Sequence, residues 1–166
     1  MNLRFPILVF DIETLTDLKA GAHLYHLDLP DTDVEQALTK IRRQESGMDF
    51  QRLPLHEIVC ISGLWIDEKG FRLFSFSQEN NSEAEMLTKF LSIFDKKQPT
   101  LISWNGSQFD LPVILFRAMY HGLSAPSLFD QGEIDNQKRY NNYQNRYHQR
   151  HVDLMDVMAM FNGRNF

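Results

Sequence analysis

At 166 residues, 43% of them hydrophobic, the chain is long enough to bury one substantial core and short enough that a single domain is the default. Its net charge of −5 argues against a domain that coats itself on phosphate backbone, which carries a basic excess, but suits a carboxylate pocket whose positive charge comes from bound metal ions. The single cysteine excludes an internal disulfide, no apolar run approaches the ~20 residues of a membrane span, and residues 1–10 lack the pattern of a signal peptide, so a cytoplasmic location is expected.

Residues 5–10 form an apolar run too short for a helix and ending in acids, which predicts a buried central strand whose C-terminal end brings Asp11 to the surface. Residues 16–56 follow as an expected insertion that shapes one wall of a cleft. Within it Val34, Ala37, Leu38 and Ile41 recur at helical spacing, with Asp31 or Thr32 as the expected cap and Gly47 as the stop. Residues 57–67 are rich in Ile and Val, Asp67-Glu68-Lys69-Gly70 turns the chain, and residues 71–76 return to complete a β-hairpin. Cys60, inside the run Ile58-Val59-Cys60-Ile61, reads as a buried, inert thiol.

Ser82-Glu83-Ala84-Glu85 is a capping box that opens an amphipathic helix through Phe94. Residues 101–104 predict another short buried strand, and Asn105-Gly106-Ser107 a turn. Residues 109–120 have helical periodicity, with Pro112 tolerated in the first turn and Gly122 as the end. Residues 123–150 are polar with weak periodicity, and residues 152–161 are apolar again, as strand or helix. This order predicts an α/β domain with a mixed sheet: an antiparallel hairpin, then parallel additions with helices on the faces.

The sharpest chemical feature is Phe10-Asp11-Ile12-Glu13-Thr14. Two acids one residue apart on a strand point to the same side. A second predicted strand end leads through Trp104-Asn105-Gly106-Ser107-Gln108-Phe109 to Asp110 at the start of a helix, and neighbouring strand ends form the usual ligand crevice of an α/β sheet. Hard divalent ions such as Mg²⁺ and Mn²⁺ take oxygen ligands, so Asp11, Glu13 and Asp110 are the candidate ligands of a pair of ions. Such a pair clamps the attacking water and the leaving oxygen of a phosphodiester. Phe109 suits either core packing or substrate contact, and Asn105 either contact or a turn bonded to its own backbone.

The first of these segments resembles the first exonuclease motif of family B DNA polymerases, and Asn105 through Phe109-Asp110 resembles the second. The whole chain resembles bacterial stand-alone 3′–5′ exonucleases of the DnaQ-like (DEDD) superfamily, related to that proofreading domain. The resemblance implies a ribonuclease H-like fold, a mixed five-stranded sheet flanked by helices, with the C-terminal helices missing here. It also implies that Asp11 bridges two ions, Glu13 binds one and Asp110 holds the second. Asn105 and Phe109 would then contact the terminal nucleotides, and Thr14 and Leu15 would border the 3′ end.

The family's third motif pairs a Tyr or His base with an acid four residues on, and no such pair stands in this sequence; the chain reads as truncated at its C-terminus and is expected to cleave poorly. Asp153 and Asp156 are the late acids, expected as caps or turn residues rather than ligands. Lys138, Arg139, Arg146 and Arg150 interleave with Tyr140, Tyr143 and Tyr147, which suits either a single-strand surface or a solvated loop. The sequence thus predicts a Mg²⁺- or Mn²⁺-dependent exonuclease on DNA 3′ ends, single strands preferred and RNA left open. The alternative is a non-catalytic nucleic-acid-binding or interaction domain of the same fold.

Overall fold

Leu8, Phe10 and Ile12 alternate with Val9, Asp11 and Glu13, and this two-residue period makes the central strand of the sheet: the first three are buried, and the two acids are exposed. The computed structural model describes residues 4–162. The strand β1 spans Ile7–Thr16, longer than the sequence predicts, so Asp11 and Glu13 lie within it rather than past its end.

The segment after it holds two helices. Asp17 caps α1 (Leu18–Tyr25) by accepting the Ala20 N–H at 2.8 Å, and α2 (Asp31–Ser46) stops at Gly47, whose φ of 72° is the left-handed conformation that favours glycine. Pro30, not Asp31 or Thr32, occupies the cap position of α2 and offers no side-chain bond; Asp31 and Asp33 instead face the helix dipole from the first turn. The helical spacing of Val34, Ala37, Leu38 and Ile41 predicts α2, whereas α1 is not predicted from the sequence.

A one-turn 3₁₀ helix, Leu53–Leu55, leads into β2 (His56–Asp67), which pairs antiparallel with β1 and with β3 (Gly70–Ser77). Next come α3 (Glu83–Lys97), β4 (Thr100–Ser103), α4 (Asp110–Tyr120), the short α5 (Pro126–Phe129), β5 (His151–Asp153) and α6 (Leu154–Met158). Both halves of the Ser82–Glu85 capping box are formed. The apolar stretch expected after residue 151 as strand or helix is both in succession. The five strands run in the order β3-β2-β1-β4-β5, with β4 parallel to β1 and to β5. None of the helices among the described residues is long and apolar enough to cross a membrane.

The core lies between one face of this sheet and helices α3 and α4. Met86, Leu87, Phe90, Leu91 and Phe94 of α3 meet Leu111, Val113, Ile114 and Ala118 of α4 over Leu8, Phe10 and Ile12. A β-bulge interrupts the β1–β2 ladder: Glu13 pairs with Cys60 but Thr14 with Ile58, leaving Val59 as the extra residue. The bulge lets Ile58 and Ile61, three residues apart, both enter the core. It also corrects the reading of Cys60, which is half-buried opposite Glu13 with its Sγ in hydrogen-bond contact with the hydroxyls of Ser62 and Ser75.

A buried ionic clasp binds the helices to the sheet. Arg117 of α4 donates to Asp17 at 2.7 Å and to Glu83 through Nε at 2.8 Å, while Glu83 also accepts the Ile58 N–H at 2.7 Å and contacts His121. One guanidinium thereby joins α1, α3 and α4 beside the bulge.

Candidate active site

The site begins where β4 leaves β1. The two strands pair only from Ile7/Thr100 to Val9/Ile102, and β1 then continues without β4 beside it. The Ile12 N–H is taken instead by Asp110, whose Oδ1 accepts it at 3.3 Å. A carboxylate at the first residue of α4 thus stands in for the departed strand. This is the sheet's switch point, since the hairpin extends from one side of β1 and the parallel strands from the other.

The turn before α4 is built to deliver that carboxylate. Asn105 adopts a left-handed φ of 59°, and its carbonyl accepts the N–H groups of Gln108 and Phe109. Gly106 has no room for a side chain, because a Cβ there would lie 2.2 Å from Ser103 Oγ. Asp153 holds the turn from below, its Oδ1 accepting the Asn105 N–H at 2.8 Å and its Oδ2 the Ser107 hydroxyl at 2.6 Å, while it also caps α6. The expectation of a structural cap at Asp153 is met. Asp156 is buried against Arg146 at 2.8 Å.

Asp110 is itself buried, and its carboxyl is pushed up to about 7. Burial is the main cause, followed by the negative charge of Asp11; Asp153 adds a little, and the backbone N–H groups, including that of Ile12, oppose the rise. Asp11 and Asp110 are therefore within electrostatic reach of one another across the gap between β1 and α4. Glu13 sits two residues beyond Asp11 on the same exposed face, roughly 6–7 Å along the strand.

Asp11 and Asp110 are hard oxygen donors, and a carboxyl that burial and a neighbouring carboxylate push toward protonation is one that a nearby divalent cation such as Mg²⁺ or Mn²⁺ would favour in its charged form. Among the described residues no three acidic, histidine or cysteine side chains are grouped closely enough to close a metal shell.

Thr14 and Leu15 flank the carboxylates. Thr14 Oγ1 is hydrogen-bonded to His56 Nδ1 at 2.9 Å, and Leu15 is exposed. The His56 ring packs against Phe50 and Phe109 at centroid separations of 4.8 and 5.3 Å, and its burial lowers its pKa despite the contact with the Gln51 carbonyl. Phe109 is thus both partly buried against the core and part of the wall beside Asp110. Neither His56 nor Phe50 was in the sequence-predicted set. Phe50 lies in an aperiodic polar stretch and His56 at a strand's first residue, so no pattern signalled either.

The basic, aromatic stretch is largely structural. Lys138 is buried, donating to the Ser127 carbonyl at 2.8 Å near Asp130; Tyr143 is buried with its hydroxyl on the Pro99 carbonyl; Arg150 donates to the Gln98 carbonyl. Asp130 is held well below the usual carboxylate range: burial opposes this, but the N–H groups of Ile134, Asp135 and Gly132, with Lys138, outweigh it. Tyr140, Tyr147 and Arg139 remain on the surface.

A mixed five-stranded sheet in this order, flanked by helices, is a ribonuclease H-like fold. Residues 48–166 match the family described as predicted 3′–5′ exonucleases related to the exonuclease domain of PolB. The chain belongs to that family. The matched stretch includes Asp110 but starts after Asp11 and Glu13. A DNA polymerase of Pyrococcus glycovorans is 29% identical over 128 residues, covering 72% of this chain and 12% of the polymerase. The family B DNA polymerase of Pyrobaculum calidifontis shares the fold with a TM-score of 0.52 at 17% identity, over 97% of this chain and 16% of the polymerase.

Proposed function

We infer that the chain is a divalent-metal-dependent exonuclease that removes nucleotides from DNA 3′ ends, with single strands preferred. The observation that carries this reading is the buried Asp110 carboxylate set against Asp11 at the switch point of the sheet. Family membership and the similarity to a DNA polymerase support it.

In this reading Asp11, Glu13 and Asp110 are the residues that would hold Mg²⁺ or Mn²⁺. Ions bound there supply charge for the attacking water and for the departing 3′ oxygen. The residues of the chain do the positioning. The Ile12 N–H fixes the Asp110 carboxylate, Asp153 fixes the turn that presents it, and His56 fixes the Thr14 hydroxyl. Thr14, Leu15, Asn105 and Phe109 border the terminal nucleotides, so a free 3′ end enters between β1 and the turn before α4.

The test is a 5′-labelled DNA strand incubated with Mn²⁺ and an excess of protein. Shortening one nucleotide at a time from the 3′ end, stopped by a chelator and by Asp11→Asn or Asp110→Asn, is the expected result. Internal cuts, or cutting that survives both substitutions, would overturn the reading. Strand binding with no cleavage at any protein concentration would favour the non-catalytic binding module instead.

A further inference from the structure

Arginines in this chain come paired with acids, and two that do not share one cavity. Every described arginine except Arg4, Arg139 and Arg150 lies in an ion pair with an Asp or Glu. Arg4 and Arg150 line the same cavity of about 140 Å³, together with the amides of Gln98, Asn141 and Gln149, and no carboxylate lines it. Its walls are held in place. The Arg150 guanidinium donates to the Gln98 carbonyl at 3.0 Å and lies over the Tyr143 ring, 5.9 Å from its centroid. Asn141 Oδ1 accepts the N–H groups of Gln149 and Arg150 at 3.1 and 3.0 Å, so the amide nitrogen keeps both of its N–H donors for another partner. Thr100 donates to the Arg4 carbonyl at 2.7 Å and anchors that residue at the rim.

We propose that this cavity is an anion site that takes one phosphate group. Planar guanidinium forks match the oxygens of a phosphate, the amides add further N–H donors, and no acid at the wall repels the ligand. A volume of about 140 Å³ equals four or five waters at ~30 Å³ each, enough for one tetrahedral oxyanion and too little for a nucleoside. A phosphate that carries an organic group keeps that group outside, over the exposed Arg4 and Gln149. The cavity stands apart from Asp11 and Asp110 and needs no metal ion. It lies at the start of β1 and β4, where Ile7 pairs with Thr100, whereas Asp11 stands four residues further along β1, roughly 13 Å away. A bound phosphate ties together the segment before β1, the end of α3 and residues 141–150. Inorganic phosphate, a mononucleotide and the backbone of a strand all offer this group.

The test is isothermal titration calorimetry with inorganic phosphate, in chelator and at an ionic strength held constant with chloride. The wild type is expected to bind phosphate saturably at one site. Arg4→Gln should weaken that binding about tenfold or more, the range for losing one charged hydrogen-bond partner. Gln149→Glu, which sets a carboxylate on the rim, should abolish it, and Asp11→Asn should leave it unchanged. Arg4 and Gln149 are both exposed, and melting curves check that each variant keeps the fold. Two competition arms identify the source of the phosphate. A short DNA strand that displaces phosphate assigns the cavity to the strand backbone, and one that leaves phosphate bound assigns it to small phosphates, with deoxyadenosine monophosphate then competing and deoxyadenosine not. Heats that fail to saturate across the millimolar range would overturn the proposal. So would an affinity unchanged in Arg4→Gln or Gln149→Glu, or binding lost in Asp11→Asn.

Discussion

Asp110→Asn separates the electrostatic cost of the site from its packing. Asparagine keeps the shape and an oxygen to accept the Ile12 N–H, and it removes the charge that burial and Asp11 oppose. In the folded protein the Asp110 carboxyl rises from the ordinary 3.8 to about 7. A group whose folded pKa is raised favours the fold while protonated and loses that contribution as pH rises. Metal-free wild type should therefore lose stability relative to the variant between about pH 4 and pH 7, and hold a constant deficit above it. A shift of about three pH units at 1.36 kcal/mol each sets an upper figure of ~4 kcal/mol. At 2–4 °C per kcal/mol for a chain of this size, Asp110→Asn should melt roughly 5–15 °C higher at pH 8 and nearly equal at pH 4. Adding Mn²⁺ at pH 8 should raise the wild type and close the gap, since an ion at a hundredfold its Kd contributes ~2.7 kcal/mol. The assay is thermal unfolding across pH, with chelator and with Mn²⁺. Parallel melting curves for wild type and variant from pH 4 to pH 8 would refute the argument.

Two further perturbations bear on the surrounding structure. Arg117→Ala leaves Asp17 and Glu83 buried without their cation and should cost ~3–5 kcal/mol in urea unfolding; a loss under 1 kcal/mol would show that water reaches the clasp. Lys138→Met should lower stability yet leave the salt dependence of strand binding unchanged, because Lys138 is buried beside Asp130 and does not face a strand; a salt slope reduced by about one would return that lysine to the binding surface.

Much of the fold was legible because its signals are local. The alternation of Leu8, Phe10 and Ile12 with two acids, the Ser82–Glu85 box, and Gly47 at the end of α2 each specify their element without reference to the rest of the chain. Asp11 and Asp110 were legible as a pair by motif, and the structure brings them within reach through a contact between residues 12 and 110 that no periodicity encodes. What escaped the sequence was decided by tertiary geometry. The bulge at Val59 turned Cys60 outward, and packing against α2 through Gly21 made a helix of residues 18–25, where a Cβ would lie 2.4 Å from Leu38. Composition also could not tell which cations are internal: Lys138 and Arg146 serve Asp130 and Asp156, while Arg139 faces solvent.

The central claim is that Asp11 and Asp110 hold divalent ions at the gap between β1 and α4. Anomalous scattering from crystals soaked in Mn²⁺ measures this directly. The account predicts a manganese peak touching the carboxylates of both residues, absent in Asp11→Asn. A manganese peak elsewhere on the protein, or one that persists unchanged in Asp11→Asn, would contradict it.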